Sequence, residues 1–248
     1  MFEIETRNLT KNFGGLVAVN NLNLQIPKGT IFGFLGPNGA GKSTTVKMLT
    51  GLLPPTAGEA FISGVSILDS PVEVKKRIGV LPEDLALFDS LTIWEHLMMC
   101  GPIYGLDRGE TELRGVQLLK YLDLWQSRNA YVDQASSGMR KKCSLAMALL
   151  HNPTVLFLDE PFEGIDPVSS RNIKDLLTLL AGRGATIFLT SHILEVVERL
   201  VESFAIIVAG ELVCSQTVAE TLQAGQTIED LFLKHVKRNE VDQLEWIG

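Results

Sequence analysis

Gly36-Pro37-Asn38-Gly39-Ala40-Gly41-Lys42-Ser43-Thr44 gathers glycines, one lysine and two hydroxyls in a single short run. The glycines let the backbone curl until its N–H groups point inward at an anion. Lys42 adds a mobile cation suited to the outer phosphates of a nucleotide. The Ser43 hydroxyl suits Mg²⁺, which takes few protein ligands and keeps phosphates and waters. Spacing and residue types match the phosphate-loop pattern in full. The plainer reading of such a run is a Gly-rich turn before a helix, and the flanks decide against it. Ile31-Phe32-Gly33-Phe34-Leu35 reads as a buried strand feeding the loop. Val46, Met48, Leu49, Leu52 and Leu53 then recur at helical spacing until Pro54-Pro55. The N-terminus of that helix adds roughly half a positive charge.

A second constellation supplies acids. Val155-Leu156-Phe157-Leu158 reads as a strand ending on Asp159-Glu160-Pro161. Open parallel sheets bind ligands at that edge. Asp159 suits Mg²⁺, directly or through water. Glu160 suits orienting and deprotonating an attacking water. Alone, the pair would be a solvated acidic turn; beside a phosphate loop it is hydrolytic equipment. Thr190-Ser191-His192 follows another strand, Ala185 to Leu189. A lone histidine is usually structural, but this one falls at the same sheet edge, within reach of a γ-phosphate.

The elements that must position these groups follow from periodicity. Phe2 to Ile26 alternates apolar and polar residues, with Asn and Gly interruptions, and predicts short antiparallel strands. Ile78 to Leu81 predicts a buried strand. Leu91 to Leu124 carries helical spacing with breaks near Gly101-Pro102 and Gly105, and a helix from about Met139 to Leu150 follows. Further helices are expected over Ile173 to Leu180 and Leu194 to Val201. Ala205 to Val208 and Glu211 to Cys214 form a hairpin turning at Ala209-Gly210, and helices finish the chain. The order implies an α/β protein: a phosphate-loop core with a mainly parallel sheet, an N-terminal antiparallel β subdomain and an inserted α-helical subdomain. Residues 1–82 and 151–222 would form the nucleotide-binding core, 83–150 the helical subdomain, and 223–248 a short helical extension.

The 248 residues suit one such domain, and 46% apolar content is enough for a sizeable core. A net charge of −7 argues against a nucleic-acid partner held by bulk electrostatics. Cys100, Cys143 and Cys214 are odd in number and lack metal-ligand spacing, which points to buried free thiols in a reducing compartment. The start of the chain has no basic stretch followed by an apolar run, and no apolar run reaches the roughly 18 residues that span a bilayer.

Taken together these motifs resemble the ATP-binding cassette ATPases, over nearly the whole chain. The most specific feature is Ala135-Ser136-Ser137-Gly138-Met139, about twenty residues before Asp159. On its own it would be a Ser-rich helix cap. It is similar to the family's signature loop, usually Leu-Ser-Gly-Gly-Gln, which binds the γ-phosphate of ATP held by the opposite subunit. The resemblance implies that Phe13 stacks on adenine and that Asp166, in Gly164-Ile165-Asp166, aligns the two sites across a dimer. It also implies that Glu83 to about Gly105 receives the coupling helices of a membrane partner. Thr227 to Phe232 resembles a C-terminal element of export-type members. Two departures stand out. Glu83 occupies the place of a Gln that senses Mg²⁺ and water, and a carboxylate there still serves as a ligand. Ser137 replaces the first signature glycine; its Cβ is expected to restrict the backbone and crowd the facing phosphate.

The resemblance implies ATP and Mg²⁺ as cofactors, and a second ATPase subunit, identical or different, with a separate transmembrane permease as partners. The implied place is the cytoplasmic face of the cell membrane, and no nucleic acid is expected. An importer subunit is the nearest alternative. A soluble cassette acting on DNA or ribosomes would usually carry tandem cassettes or coiled-coil insertions. A non-hydrolysing regulatory cassette conflicts with the intact Lys42, Asp159, Glu160 and His192.

Overall fold

The computed structural model describes residues 2–236. β1 (Phe2–Phe13) and β2 (Leu16–Pro27) form one long antiparallel hairpin around Gly14-Gly15. They are not the short strands expected from the Asn interruptions. Asn8 and Asn21 take φ of 50° and 46° beside register shifts in the ladder, so they make bulges rather than breaks. Asn tolerates this conformation, and the Asn8 N–H donates to Asn23 Oδ1 at 2.9 Å.

β3 (Ile31–Leu35) runs into the glycine loop, and α1 (Lys42–Leu49) follows. α1 stops before Leu52 and Leu53, because Gly51 turns left-handed at φ 68°. β4 (Ala57–Ile62), β5 (Val65–Ser66) and α2 (Pro71–Arg77) fill a stretch with no clear periodicity. β6 (Ile78–Leu81) leads to three helices: α3 (Ile93–Ile103), α4 (Arg108–Tyr121) and α5 (Ser137–Leu149). The break expected near Gly101-Pro102 falls just beyond it, Pro102 being the penultimate residue of α3. At Gly101 α4 packs directly on α3: a Cβ there would clash with the Thr111 side chain. The chain turns at Gly105, φ 79°.

The remaining elements are β7 (Val155–Asp159), α6 (Pro167–Gly182), β8 (Thr186–Ser191), α7 (Leu194–Glu198), β9 (Ser203–Val208), β10 (Glu211–Thr217), α8 (Val218–Gln223) and α9 (Ile228–His235). α6 starts six residues earlier than its apolar spacing predicts, because Asp166 caps it and Pro167 opens it. α7 ends short of Val201. The part of the expected C-terminal helices that falls on 237–248 lies outside the described residues.

Two sheets result. One is antiparallel, in order β2-β1-β4-β5; the other has order β10-β9-β3-β8-β7-β6, parallel except for edge strand β10. The period-2 rule divides the parallel sheet's side chains between two faces. Phe32, Phe34 and Phe157 crowd around Phe188, with ring centroids 5.3–5.6 Å away, in a core shared with the antiparallel sheet and α1. Leu35, Leu156, Leu158 and Leu189 face the other way, into a core with α3, α5 and α6. Ile228 and Leu231 of α9 are buried in that second core. Both faces of β3, β7 and β8 are thereby packed, and these strands hold their C-terminal ends in fixed register.

Candidate functional site

Those ends deliver the chemistry to one place. Leu158 pairs with Leu189 and Asp159 with Thr190, while Leu35 lies beside Ser191. The loop after β3, the acids after β7 and the histidine after β8 therefore share one sheet edge. Between them opens a cleft of about 480 Å³, lined by Phe13, Asn38, Gly39, Gly41, Lys42, Ser43, Thr44, Glu83, Asp159, Glu160 and His192. Leu16, Ala18 and Glu163 complete it.

The loop's path needs its glycines. Gly41 sits at φ 109°, and a Cβ there would lie 2.4 Å from the Ala18 carbonyl oxygen. A Cβ on Gly36 would meet the Ile207 carbonyl oxygen at 2.4 Å. Strand β2 and the β9 end thus press on the loop from outside and leave its interior to a ligand. Ala40 is buried behind it, its N–H donating to the Pro37 carbonyl at 3.1 Å. The Lys42 ammonium, buried at the root of α1, donates to the Gly36 carbonyl at 2.7 Å and the Pro37 carbonyl at 3.2 Å. Burial lowers its pKa, and the negative charges of Glu160, Asp159 and Glu83 oppose that shift. A buried cation facing three acids across a cleft is arranged to gain from a polyanion.

Ser43 Oγ donates to Glu83 Oε2 at 3.3 Å. Asp159 is buried, and its Oδ1 accepts the Thr190 hydroxyl. Among the described residues no group of three or more His, Cys, Asp or Glu is arranged to hold a metal ion by itself. Mg²⁺ does not require one. A serine hydroxyl and one or two carboxylates beside a phosphate site are the hard oxygen donors it accepts, with phosphate and water completing the shell. The donor set of Ser43, Glu83 and Asp159 fits the ion.

Glu160 is held from three sides. Its backbone sits at φ 49°, a left-handed conformation that costs a non-glycine residue about 1–3 kcal/mol. Its N–H donates to Thr190 Oγ1 at 3.2 Å. Its carbonyl accepts from Lys141 Nζ at 2.8 Å. Its carboxylate lies 3.0 Å from His192 Nδ1 and accepts the His192 N–H at 3.3 Å. A buried carboxylate aimed into a phosphate cleft and fixed at both ends can orient a water and take its proton.

Ser136, Ser137, Gly138 and Asp166 do not line this cleft. Ser136 caps α5, its Oγ accepting the Met139 N–H at 3.2 Å. Asp166 caps α6 through the N–H groups of Val168 and Ser169. Hydrogen bonds from Ser169 hold its carboxyl below the usual range. A Cβ on Gly138 would lie 3.2 Å from the Gly164 carbonyl oxygen, so the two loops abut. Ser136 and Ser137 remain exposed. Ser137 is the first residue of α5 and has no positive φ, so the restriction its Cβ imposes costs this backbone no strain.

Sequence reasoning missed Leu16, Ala18, Glu163, Thr190 and Lys141. Leu16 and Ala18 reach the cleft because β2 crosses over the loop, a tertiary approach with no local signal. Thr190 stood beside His192 in a segment already singled out. Lys141 was readable as part of the helix after the signature, though nothing in its spacing marks a role.

A mostly parallel sheet with a phosphate loop, an antiparallel β subdomain and helices inserted between β6 and β7 defines an ATP-binding cassette. The sequence profile of the ABC transporter family matches residues 19–163. The chain is 36% identical over 230 residues to the linearmycin resistance ATP-binding protein LnrL of Bacillus subtilis (strain 168), covering 92% of this chain and 74% of that one. It is 36% identical over 217 residues to the daunorubicin/doxorubicin resistance ATP-binding protein DrrA of Streptomyces peucetius, covering 88% and 66%. Its fold matches a dimeric ATP-binding cassette in a post-hydrolysis state bound to ADP and Pi, with TM-score 0.81 and 26% identity, covering 87% of this chain and 98% of that one. The chain belongs to the ABC transporter family and is an ATP-binding, ATP-hydrolysing subunit of such a system. Cassettes of this family act as dimers with transmembrane subunits. Among the described residues, no helix is long and apolar enough to cross a membrane.

Proposed function

We propose that this chain powers export through a separate transmembrane permease, from the cytoplasmic face of the membrane. The observation that carries the reading is the convergence of Lys42, Ser43, Glu83, Asp159, Glu160 and His192 on one cleft. The backbone from Gly36 to Thr44 and the Lys42 ammonium grip the triphosphate, and Phe13 stacks on the adenine. Phe13 is 48% exposed at the cleft rim, which suits that role. Ser43, Glu83 and Asp159 would hold Mg²⁺, which neutralises phosphate charge when bound. Glu160 takes the proton of the attacking water, and His192 steadies it.

Ser136, Ser137 and Gly138 stand apart from the chain's own cleft, the two serines exposed and Gly138 partly so, as a surface that serves a second subunit's ATP would. Asp166 lies beside them. Residues 83–150 act as the helical subdomain, whose stretch from Glu83 to about Gly105 meets the permease; 1–82 and 151–222 form the nucleotide-binding core, and 223–248 the short C-terminal extension. Export is supported by the resistance names of the relatives, which are said of those proteins. The test is purification of the chain with its membrane partner and assay in proteoliposomes. ATP-dependent, outwardly directed cargo movement supports the reading. Stimulation by nucleic acid with no response to the membrane partner would overturn it.

A further inference from the structure

Lys141 is a charged side chain that the chemistry above does not use. It lies in the second turn of α5, one turn beyond Ser137 and on the same face. Its ammonium donates to the Glu160 carbonyl at 2.8 Å and to the Glu163 carbonyl at 2.8 Å. The turn it spans is weakly closed by itself: the Glu163 N–H reaches the Glu160 carbonyl only at 3.4 Å, and the Ile165 N–H reaches the Phe162 carbonyl at 3.4 Å. Glu160 is also the residue of that turn in left-handed backbone, a conformation that persists only where its surroundings impose it. Burial lowers the Lys141 pKa, and the carboxylates of Glu163, Glu160, Asp159 and Glu83 counter that shift.

We infer that Lys141 is a positioning residue: its ammonium bridges two carbonyls of the 160–163 turn and so holds the Glu160 carboxylate against the cleft. It acts through the backbone and touches no substrate. Hydrogen bonds from a cation to carbonyl oxygens are stronger than neutral ones, and two on one turn fix its orientation. The bridge also joins the helix opened by Ser136–Gly138 to the base of the chain's own site. Movement of α5 is thereby felt at Glu160. The inference rests on Glu160 being the base, and the experiment separates the two claims.

Steady-state ATP hydrolysis and nucleotide binding are measured on the full chain with its membrane partner, for Lys141→Met, Lys141→Arg, Glu160→Gln and the Lys141→Met/Glu160→Gln double variant. Lys141→Met is expected to lower kcat about 10–100-fold, the scale of a misplaced catalytic group, with KM and nucleotide Kd little changed. Lys141→Arg restores most of kcat, since a guanidinium spans the same carbonyls. In the Glu160→Gln background, Lys141→Met adds no further loss. Parental kcat in Lys141→Met beside an inactive Glu160→Gln overturns the inference alone, as does a full further loss in the double variant. Turnover retained in Glu160→Gln removes the premise. Should Lys141→Met fail to bind nucleotide for want of folding, Lys141→Gln decides, because its amide donates to one carbonyl: an intermediate kcat is expected, and a parental one contradicts the bridge.

Discussion

His192 and Glu160 are joined twice: Nδ1 lies 3.0 Å from Oε2, and the His192 backbone N–H reaches the same oxygen at 3.3 Å. One oxygen of the carboxylate is thus tied to the residue that follows β8, while Thr190 of that strand holds the Glu160 N–H. His192→Ala should lower kcat about 10–100-fold while leaving nucleotide affinity within a few-fold, because the base survives but loses its orientation. Single-turnover hydrolysis with a parallel binding titration checks this. A large loss of ATP affinity with unchanged kcat would place His192 in binding instead.

Lys42 is a buried cation lining the cleft proposed to hold the phosphates. Hydrogen bonds to charged groups contribute about 1.5–3 kcal/mol. Lys42→Ala should therefore weaken ATP binding about 10–100-fold at 1.4 kcal/mol per decade. The variant also leaves Glu160, Asp159 and Glu83 without their buried counter-charge. Calorimetric titration with a nonhydrolysable ATP analogue reads the change, and an unaltered Kd contradicts the assignment.

Ser137 occupies ordinary helical backbone, so the consequence of its side chain is confined to what faces it. Ser137→Gly should leave thermal stability nearly unchanged and raise the ATPase rate of the assembled complex, if the hydroxymethyl crowds a partner's phosphate. A rate equal to the parent's shows that the site accommodates serine. Co-purification from the native membrane then distinguishes a pair of identical chains from an unequal pair.

The three thiols differ in burial, and their reactivity should follow. Burial pushes the Cys143 thiol up to about 12 and Cys100 up to about 11. Cys214 is only half-buried and raised less. Alkylation at pH 8 should modify Cys214 first and leave the other two until the chain unfolds. The folded state keeps the Cys143 and Cys100 protons where the unfolded chain has lost them, from about pH 9 to 11 or 12. In that window these groups reduce stability as pH rises, and below it they contribute no slope. Mass spectrometry after timed alkylation reads the order.

Much of the site was legible because its residues are contiguous. Gly36–Thr44, Asp159-Glu160 and His192 each follow an apolar run that reads as a strand, and parallel pairing brings such ends together without further information. The fold was less legible wherever a residue's usual local meaning was overridden. Asn8 and Asn21 look like strand breakers and are bulges that let two twelve-residue strands continue. Gly101 reads only as a sign of the nearby helix end, yet it is also a close approach to Thr111. Ala57–Ile62 lacks alternation because Gly58 lies against the backbone of Asn8. Leu16, Ala18 and Lys141 reach the site through contacts made only after folding.

The measurement that bears most directly on the account is the fate of bound ATP in the Glu160→Gln protein, assembled with its membrane partner and followed through one turnover with γ-labelled nucleotide. The account predicts that ATP is bound as in the parent, while phosphate release slows about 10²–10⁴-fold, the loss expected for removing a general base. Phosphate release at close to the parental rate would contradict it.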